Sequence, residues 1–162
     1  MLNYKRIQNT LILPILGLSA ILLIASTAPW PADDAKVGEP APVFTLPDTQ
    51  GGAYNLEDLQ GKFVVLEWLN FGCPYVQRHY NSGNMPALQE AYTGKDVVWL
   101  SVVSSAPGTQ GFYPADEMNA KNESFGGQQT GILLDPEGEV GKMYGAMTTP
   151  HMYIINPDGI LI

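Results

Sequence analysis

Two nearly uninterrupted apolar runs constrain the fold of this chain most strongly: FVVLEWLN at residues 63–70 and VVWLSVV at residues 97–103. Both are rich in β-branched and aromatic residues, a composition that favours a strand buried on both faces. Strands of that kind occur in parallel sheets whose faces are covered by helices. The two runs therefore predict an α/β domain with a central sheet.

The rest of the chain reads as short strands and helices joined by turns. Pro74 opens a helix that breaks near residues 81–83, and Asn84 is placed to cap the next helix. The sequence further predicts a hairpin from 43–46 and 53–56, helices over 85–92, 114–122 and 140–144, strands over 131–134 and 151–155, and a last strand over 160–162. This alternation is typical of an α/β fold.

The first 28 residues have the pattern of a targeting segment. Lys5 and Arg6 precede an uncharged apolar run over 11–25, and small residues follow at 26–28. This pattern predicts a signal peptide, or a signal anchor that leaves residues 11–28 in the inner membrane. A buried core helix is the remaining alternative. We expect a Pro-rich linker over 29–42 and one exported domain over 43–162, in the periplasm or anchored facing it.

Composition excludes two further classes. The formal net charge is −8, and no cluster of Lys and Arg lies beyond position 6, which argues against a nucleic-acid partner. The chain has one cysteine, Cys73, so an internal disulfide and a zinc site of several thiolates are both excluded. No metal and no cofactor is predicted.

Cys73 follows a predicted strand and stands at the start of a predicted helix. The free N–H groups and the dipole of a helix N-terminus stabilise negative charge, so a thiol placed there has a lowered pKa. The alternative is an inert cysteine that packs as a small apolar residue. Pro74 at the next position supports the helix start and favours a reactive thiolate.

Three segments carry a family resemblance: VGEPAPVFTL (37–46), VVLEWLNFGCPYVQRHYNSGNM (64–85) and LLDPEGEVGKMYGAMTTPHMYIINPDG (133–159). They resemble the thioredoxin-like fold, and more closely the exported redoxins of the alkyl hydroperoxide reductase/thiol-specific antioxidant (AhpC/TSA) group. The resemblance implies a central mixed sheet flanked by helices. Since such sheets end with a covering helix, the domain is expected to be incomplete after Ile162.

The resemblance also implies roles for individual residues. Cys73 matches the attacking cysteine, whereas Val76 stands where thioredoxins have their second cysteine. Pro150, after Thr149, matches the cis-proline that faces the active thiol. Glu67 stands six residues before Cys73, where thioredoxins often have a buried acid that could move protons; an acid at the sheet edge is the alternative.

Substrate contacts are expected around the thiol, from Pro74, Thr149, Pro150, His151 and Asn70. His151 could lie near the thiol or simply begin a strand.

Two positions depart from peroxiredoxins, which have a Pro seven residues and a Thr or Ser three residues before the cysteine. Here Leu66 and Asn70 occupy them. Arg78, five residues after Cys73, could face away from it.

The sequence thus predicts an exported thiol-dependent oxidoreductase or antioxidant protein. Cys73 would attack a peroxide or a protein or small-molecule disulfide, and an external thiol, or a cysteine beyond residue 162, would resolve the product. The alternatives are a non-enzymatic thioredoxin-like binding module and an electron-delivery thiol protein in cell-envelope maturation.

Overall fold

A computed structural model describes residues 35–162. The expected targeting segment and the first part of the expected linker, residues 29–34, lie outside the described residues. The elements in chain order are β1 (Thr45–Pro47), β2 (Ala53–Asn55), a 3-10 turn (Leu56–Leu59), β3 (Val64–Trp68), α1 (Pro74–Asn81), α2 (Asn84–Thr93), β4 (Val98–Val103), α3 (Ala115–Ser124), β5 (Gly131–Leu134), α4 (Glu139–Met143) and β6 (His151–Ile155).

A four-stranded sheet in the order β5-β4-β3-β6 forms the centre of the domain. Strands β3, β4 and β5 are parallel, and β6 runs antiparallel to β3. The predicted mixed sheet of an α/β domain is therefore confirmed. All residues of β3 and β4 are buried, as their unbroken apolar sequences indicated.

Alternating residues of the central strands pack on opposite faces of the sheet. Leu66 and Leu100 belong to one core cluster, and Val65 and Trp99 belong to the other. The second cluster includes Val76, which joins helix α1 to the sheet. Burial of a side chain such as Leu66, which is fully inaccessible, contributes roughly 1.5–3 kcal/mol.

The described end of the expected linker is bound to the domain. The N–H of Gly38 donates to the oxygen of Leu161 at 2.8 Å, and the N–H of Ala41 donates to the oxygen of Gly159 at 2.9 Å. The Ala41 side chain is buried in the first core cluster. Residues 35–42 thus lie against the last turn of the described chain.

The break between α1 and α2 lies where the sequence predicted it, but the predicted capping residue is wrong. The N-cap of α2 is Gly83, with φ 74°, and Asn84 is the first residue of the helix. Glycine adopts this left-handed conformation without steric cost, which explains the choice of residue. The Asn84 amide instead contacts Nδ1 of His79 at 3.1 Å.

Candidate active site

Cys73 is the N-cap residue of α1, with extended backbone angles. Its N–H donates to the oxygen of Asn70 at 2.9 Å, which closes a tight turn between the end of β3 and the helix. The side chain is partly exposed. A nucleophile in this position can be reached by a substrate while it lies over the free N–H groups of the first helical turn.

The loop before β6 brings Thr149 to the thiol. The Thr149–Pro150 peptide bond is cis, as the family resemblance implied. Strand β6 begins at His151, which pairs with Trp68 at the end of β3. Since Cys73 follows β3 within one turn, this pairing places the two segments side by side, and the Sγ–H of Cys73 donates to the backbone oxygen of Thr149 at 3.1 Å.

The surroundings of Cys73 favour its thiolate. Partial burial by itself raises the pKa of the Cys73 thiol. Three hydrogen bonds oppose this effect: one from the Thr149 side chain and two from the backbone N–H groups of Val76 and Tyr75. Together they outweigh burial, so the pKa of Cys73 is lowered. Upon ionisation the Sγ proton leaves to solvent and the bond to the Thr149 backbone oxygen is lost, whereas these three groups donate to the resulting anion. The prediction of a lowered thiol pKa is therefore supported.

Val76, which stands where thioredoxins have their second cysteine, is part of the core. Val76 is fully buried, and it packs in the second core cluster. Pro74 and Tyr75, between it and Cys73, are exposed. Because Cys73 is the single cysteine of residues 1–162, no other residue of this sequence can form a disulfide with it.

Both the oxygen and the nitrogen of the Asn70 carboxamide form hydrogen bonds with backbone groups. Its Oδ1 accepts from the N–H of Gly72 at 2.7 Å, and its Nδ2 donates to the backbone oxygen of Gln110 at 3.2 Å. It also lines a groove of about 270 Å³ with Trp68, Ser104, Met147 and residues adjoining them, including Thr149. Its expected role in substrate binding stays a prediction.

Glu67 is fully buried in β3 and accepts four hydrogen bonds. The donors are Tyr80 on α1, Gln89 on α2, and Trp99 and Ser101 on β4, at 3.0, 3.0, 2.9 and 3.3 Å. Burial raises the pKa of Glu67, and these four donors only partly oppose that effect. The carboxyl group is thus a partnered core group, and its expected proton transfer with Cys73 stays a prediction.

The other predicted site residues have different partners. His151 is partly buried, and its Nδ1 lies 3.3 Å from the hydroxyl of Tyr153. Arg78 is exposed on α1. Within residues 35–162, no three His, Cys, Asp or Glu side chains form a group that could hold a metal ion.

Sequence reasoning missed Gln110 and Gln89. Gln110 lies in a Gly- and Pro-rich loop, and its Nε2 donates to the oxygen of Gly72 at 3.0 Å. Gln89 lies on α2, and it donates to both Glu67 and Tyr80. A glutamine in a predicted helix or loop carries no signal for such long-range contacts, so neither residue could have been found from the sequence.

A mixed sheet flanked by helices, with a cysteine at the first helix after β3 and a cis-proline loop beside it, defines a thioredoxin-like protein. A family model supports this assignment: residues 37–162 match the AhpC/TSA family. The chain belongs to this family.

Similar proteins and solved structures support the assignment to the thioredoxin-like fold. The thiol-disulfide oxidoreductase ResA of Bacillus thuringiensis subsp. konkukian is 25% identical over 130 residues, which cover 78% of this chain and 68% of that protein. The crystal structure of an uncharacterized conserved protein from Geobacillus kaustophilus is 26% identical, with a TM-score of 0.68 over 78% of this chain and 67% of the other. The pneumococcal exposed lipoprotein thioredoxin Etrx1 from Streptococcus pneumoniae is 25% identical, with a TM-score of 0.58 over 75% and 86% of the two chains.

Proposed function

We propose that this protein is a thiol-disulfide oxidoreductase whose attacking residue is Cys73. The observation that carries the proposal is the placement of Cys73: its sulfur lies at the N-terminus of α1, 3.1 Å from the Thr149 oxygen, with a lowered pKa. The naming of a relative as a thiol-disulfide oxidoreductase supports the same chemistry.

The reaction proceeds by two exchanges. The Cys73 thiolate attacks one sulfur of a substrate disulfide, a new S–S bond forms, and the other substrate sulfur leaves as a thiolate that takes up a proton. A thiolate from an external reductant then attacks the substrate sulfur of the mixed disulfide, forms a reductant–substrate disulfide and releases Cys73 as its thiolate. Val76 occupies the position from which a second cysteine would otherwise complete the exchange within the chain.

Disulfides suit this site better than peroxides. Asn70 stands where peroxiredoxins place the hydroxyl that orients the peroxide, and its carboxamide is engaged by Gly72 and Gln110. Arg78 is exposed on α1, and the structure gives it no contact with the thiol. The site therefore provides a stabilised thiolate without the polar groups that position a peroxide.

The test compares the two substrates on the reduced protein. A disulfide-linked model peptide at neutral pH should give a protein–peptide adduct of one peptide per chain, detected by mass spectrometry, and Cys73→Ser should give none. Hydrogen peroxide at the same concentration should oxidise the thiol much more slowly. A faster reaction with peroxide would contradict the proposed preference for disulfides. Failure to react with either substrate would contradict the proposed oxidoreductase function.

The location of this chemistry is a second proposal, supported by the basic and apolar pattern of residues 1–28. The similar Etrx1 is described as an exposed lipoprotein. In residues 35–162 the structure has no helix long and apolar enough to cross a membrane. A fusion of residues 1–42 to a reporter enzyme that is active only after export should be active, and an inactive but expressed fusion would contradict export.

A further inference from the structure

The turn that carries Cys73 is bound on both sides by two side chains that the proposed chemistry does not use. Asn70 Oδ1 accepts from the N–H of Gly72 at 2.7 Å, and Gln110 Nε2 donates to the oxygen of Gly72 at 3.0 Å. The backbone oxygen of Asn70 accepts from the N–H of Cys73 at 2.9 Å. The C=O and the N–H of the peptide group between Gly72 and Cys73 therefore both have protein partners.

The same two residues also bind each other. Asn70 Nδ2 donates to the backbone oxygen of Gln110 at 3.2 Å, so the loop over residues 104–113 is attached to the turn at two points. Gln77 on α1 adds a further contact, since its Nε2 donates to the oxygen of Phe71 at 2.8 Å. The orientation of the turn is thus set by side chains from the turn itself, the helix and a distant loop.

Glycine at two positions permits this close approach. A Cβ atom on Gly72 would lie 2.6 Å from Cγ of Gln110, which is closer than real contacts of this kind. A Cβ atom on Gly111 would overlap the Asn70 carboxamide, and Gly111 has a φ of 89°. Side chains at either position would push the loop and the turn apart.

We propose that Asn70 and Gln110 are positioning residues for Cys73: this Asn70–Gln110 clamp holds Gly72 by its N–H and its C=O, so that the sulfur of the next residue lies over the first N–H groups of α1. The inference rests on the proposed function only in taking Cys73 as the reacting residue. Asn70 then acts on the reaction through the turn, whereas the sequence suggested direct contact with substrate.

Loss of the clamp should change the reactivity of Cys73 and not only the stability of the domain. The N–H groups of Val76 and Tyr75 stabilise the thiolate only while Sγ keeps its place relative to the helix. Hydrogen bonds to an anion weaken steeply when their geometry is lost. Release of the turn should therefore return the thiol toward ordinary behaviour.

The experiment measures the rate of Cys73 alkylation by iodoacetamide across a pH series for Asn70→Ala, Gln110→Ala and the double variant. Each single change should move the midpoint of the profile upward by about 0.5–1 pH unit, which lowers the rate near neutral pH roughly three- to tenfold. The double variant should shift by less than the sum, since both side chains bind the same residue, Gly72.

Asn119→Ala is the matched control. Asn119 Nδ2 donates to the backbone oxygen of Thr49 at 3.1 Å, a bond of the same type as that from Asn70 to Gln110, on a different part of the domain. It should lower the thermal unfolding midpoint by a similar amount and leave the alkylation profile unchanged.

The clamp is rejected if Asn70→Ala and Gln110→Ala lower the unfolding temperature but keep the wild-type profile. If Asn70→Ala does not fold, Gln110→Ala decides alone, because Gln110 is exposed and substitutions at exposed positions usually change stability little. Alkylation needs no disulfide substrate. A protein inert toward disulfides whose alkylation still depends on the clamp would therefore contradict the proposed function and leave the clamp standing.

Discussion

The sulfur of Cys73 lies 3.1 Å from the backbone oxygen of Thr149, although 76 positions separate the two residues in the chain. The register of β6 against β3 produces this contact, because His151 pairs with Trp68 and so brings the loop before β6 to the end of β3. The hydroxyl of Thr149 then becomes one of the groups that lower the pKa of Cys73.

Thr149→Val should raise the pKa of Cys73, because it removes a hydroxyl that donates to the thiolate and preserves the shape of the side chain. A lowered thiol pKa means that more thiolate is present at a given pH than for an ordinary cysteine, and that reactivity is lost as the pH falls through that pKa. The variant should therefore alkylate about two- to tenfold more slowly near neutral pH and at the wild-type rate in strong base. Thr148→Val, at an exposed neighbouring position, should keep the wild-type profile, and an equal effect of both changes would contradict the role of Thr149.

Val76→Cys should convert the single-cysteine site into one that closes its own disulfide. Residue 76 lies on the first turn of α1, and its N–H already donates to Cys73. The variant should accumulate little peptide adduct, and a count of free thiols with mass spectrometry should show an internal disulfide after oxidation.

Val76→Ala is its control, since it leaves a small cavity that destabilises the domain by about 1–3 kcal/mol but adds no thiol. It should still form the peptide adduct. Adduct from Val76→Cys at the wild-type level would show that a cysteine at position 76 cannot reach the mixed disulfide.

Glu67→Ala should be among the most destabilising single changes in the domain. It would leave the buried donors of Trp99, Gln89 and Tyr80 without their acceptor. We expect a loss of about 3–5 kcal/mol in the free energy of unfolding, measured by urea denaturation. Glu67→Gln should cost less, because its amide oxygen still accepts hydrogen bonds.

The pH dependence of Glu67→Gln tests the ionisation of the buried carboxyl group. The pKa of Glu67 is raised in the folded protein, mainly by burial. Its contribution to stability is therefore complete below the unfolded pKa and is lost as the pH rises through the folded pKa. The stability of the wild type relative to Glu67→Gln should fall from acidic to neutral pH, and a constant difference would contradict the raised pKa.

Asp135→Ala should lower the stability of the domain, because Asp135 binds Ser104, a residue that lines the groove. Asp135 is buried, and its Oδ2 accepts from the Ser104 hydroxyl at 2.6 Å and from the N–H of Gly141 at 2.9 Å. The variant should lose about 2–4 kcal/mol of unfolding free energy, measured by urea denaturation. Asp158→Ala, at an exposed turn position, should stay within about 0.5 kcal/mol of the wild type.

Local patterns in the sequence were sufficient to predict the central strands β3 and β4 and the helix start after Cys73. The unbroken apolar composition of β3 and β4 follows from burial on both faces of a parallel sheet, so it can be read directly. The helix start at Pro74 follows from backbone chemistry, which likewise depends on neighbouring residues. Capping was harder to predict: Asn84 has the usual chemistry of an N-cap, but Gly83 takes that position because the chain must turn there with a positive φ.

By itself, then, the sequence determined the α/β class, the helix start at Cys73 and the single thiol of residues 1–162, because composition, periodicity and the cysteine count are properties of the chain. Only the tertiary structure decided which groups surround that thiol. Thr149, Gln110 and the partners of Glu67 come from segments far apart in sequence, and strand register and loop docking bring them together. Hydrogen bonds of this kind depend on distances of a few ångströms between distant residues, which no local pattern encodes.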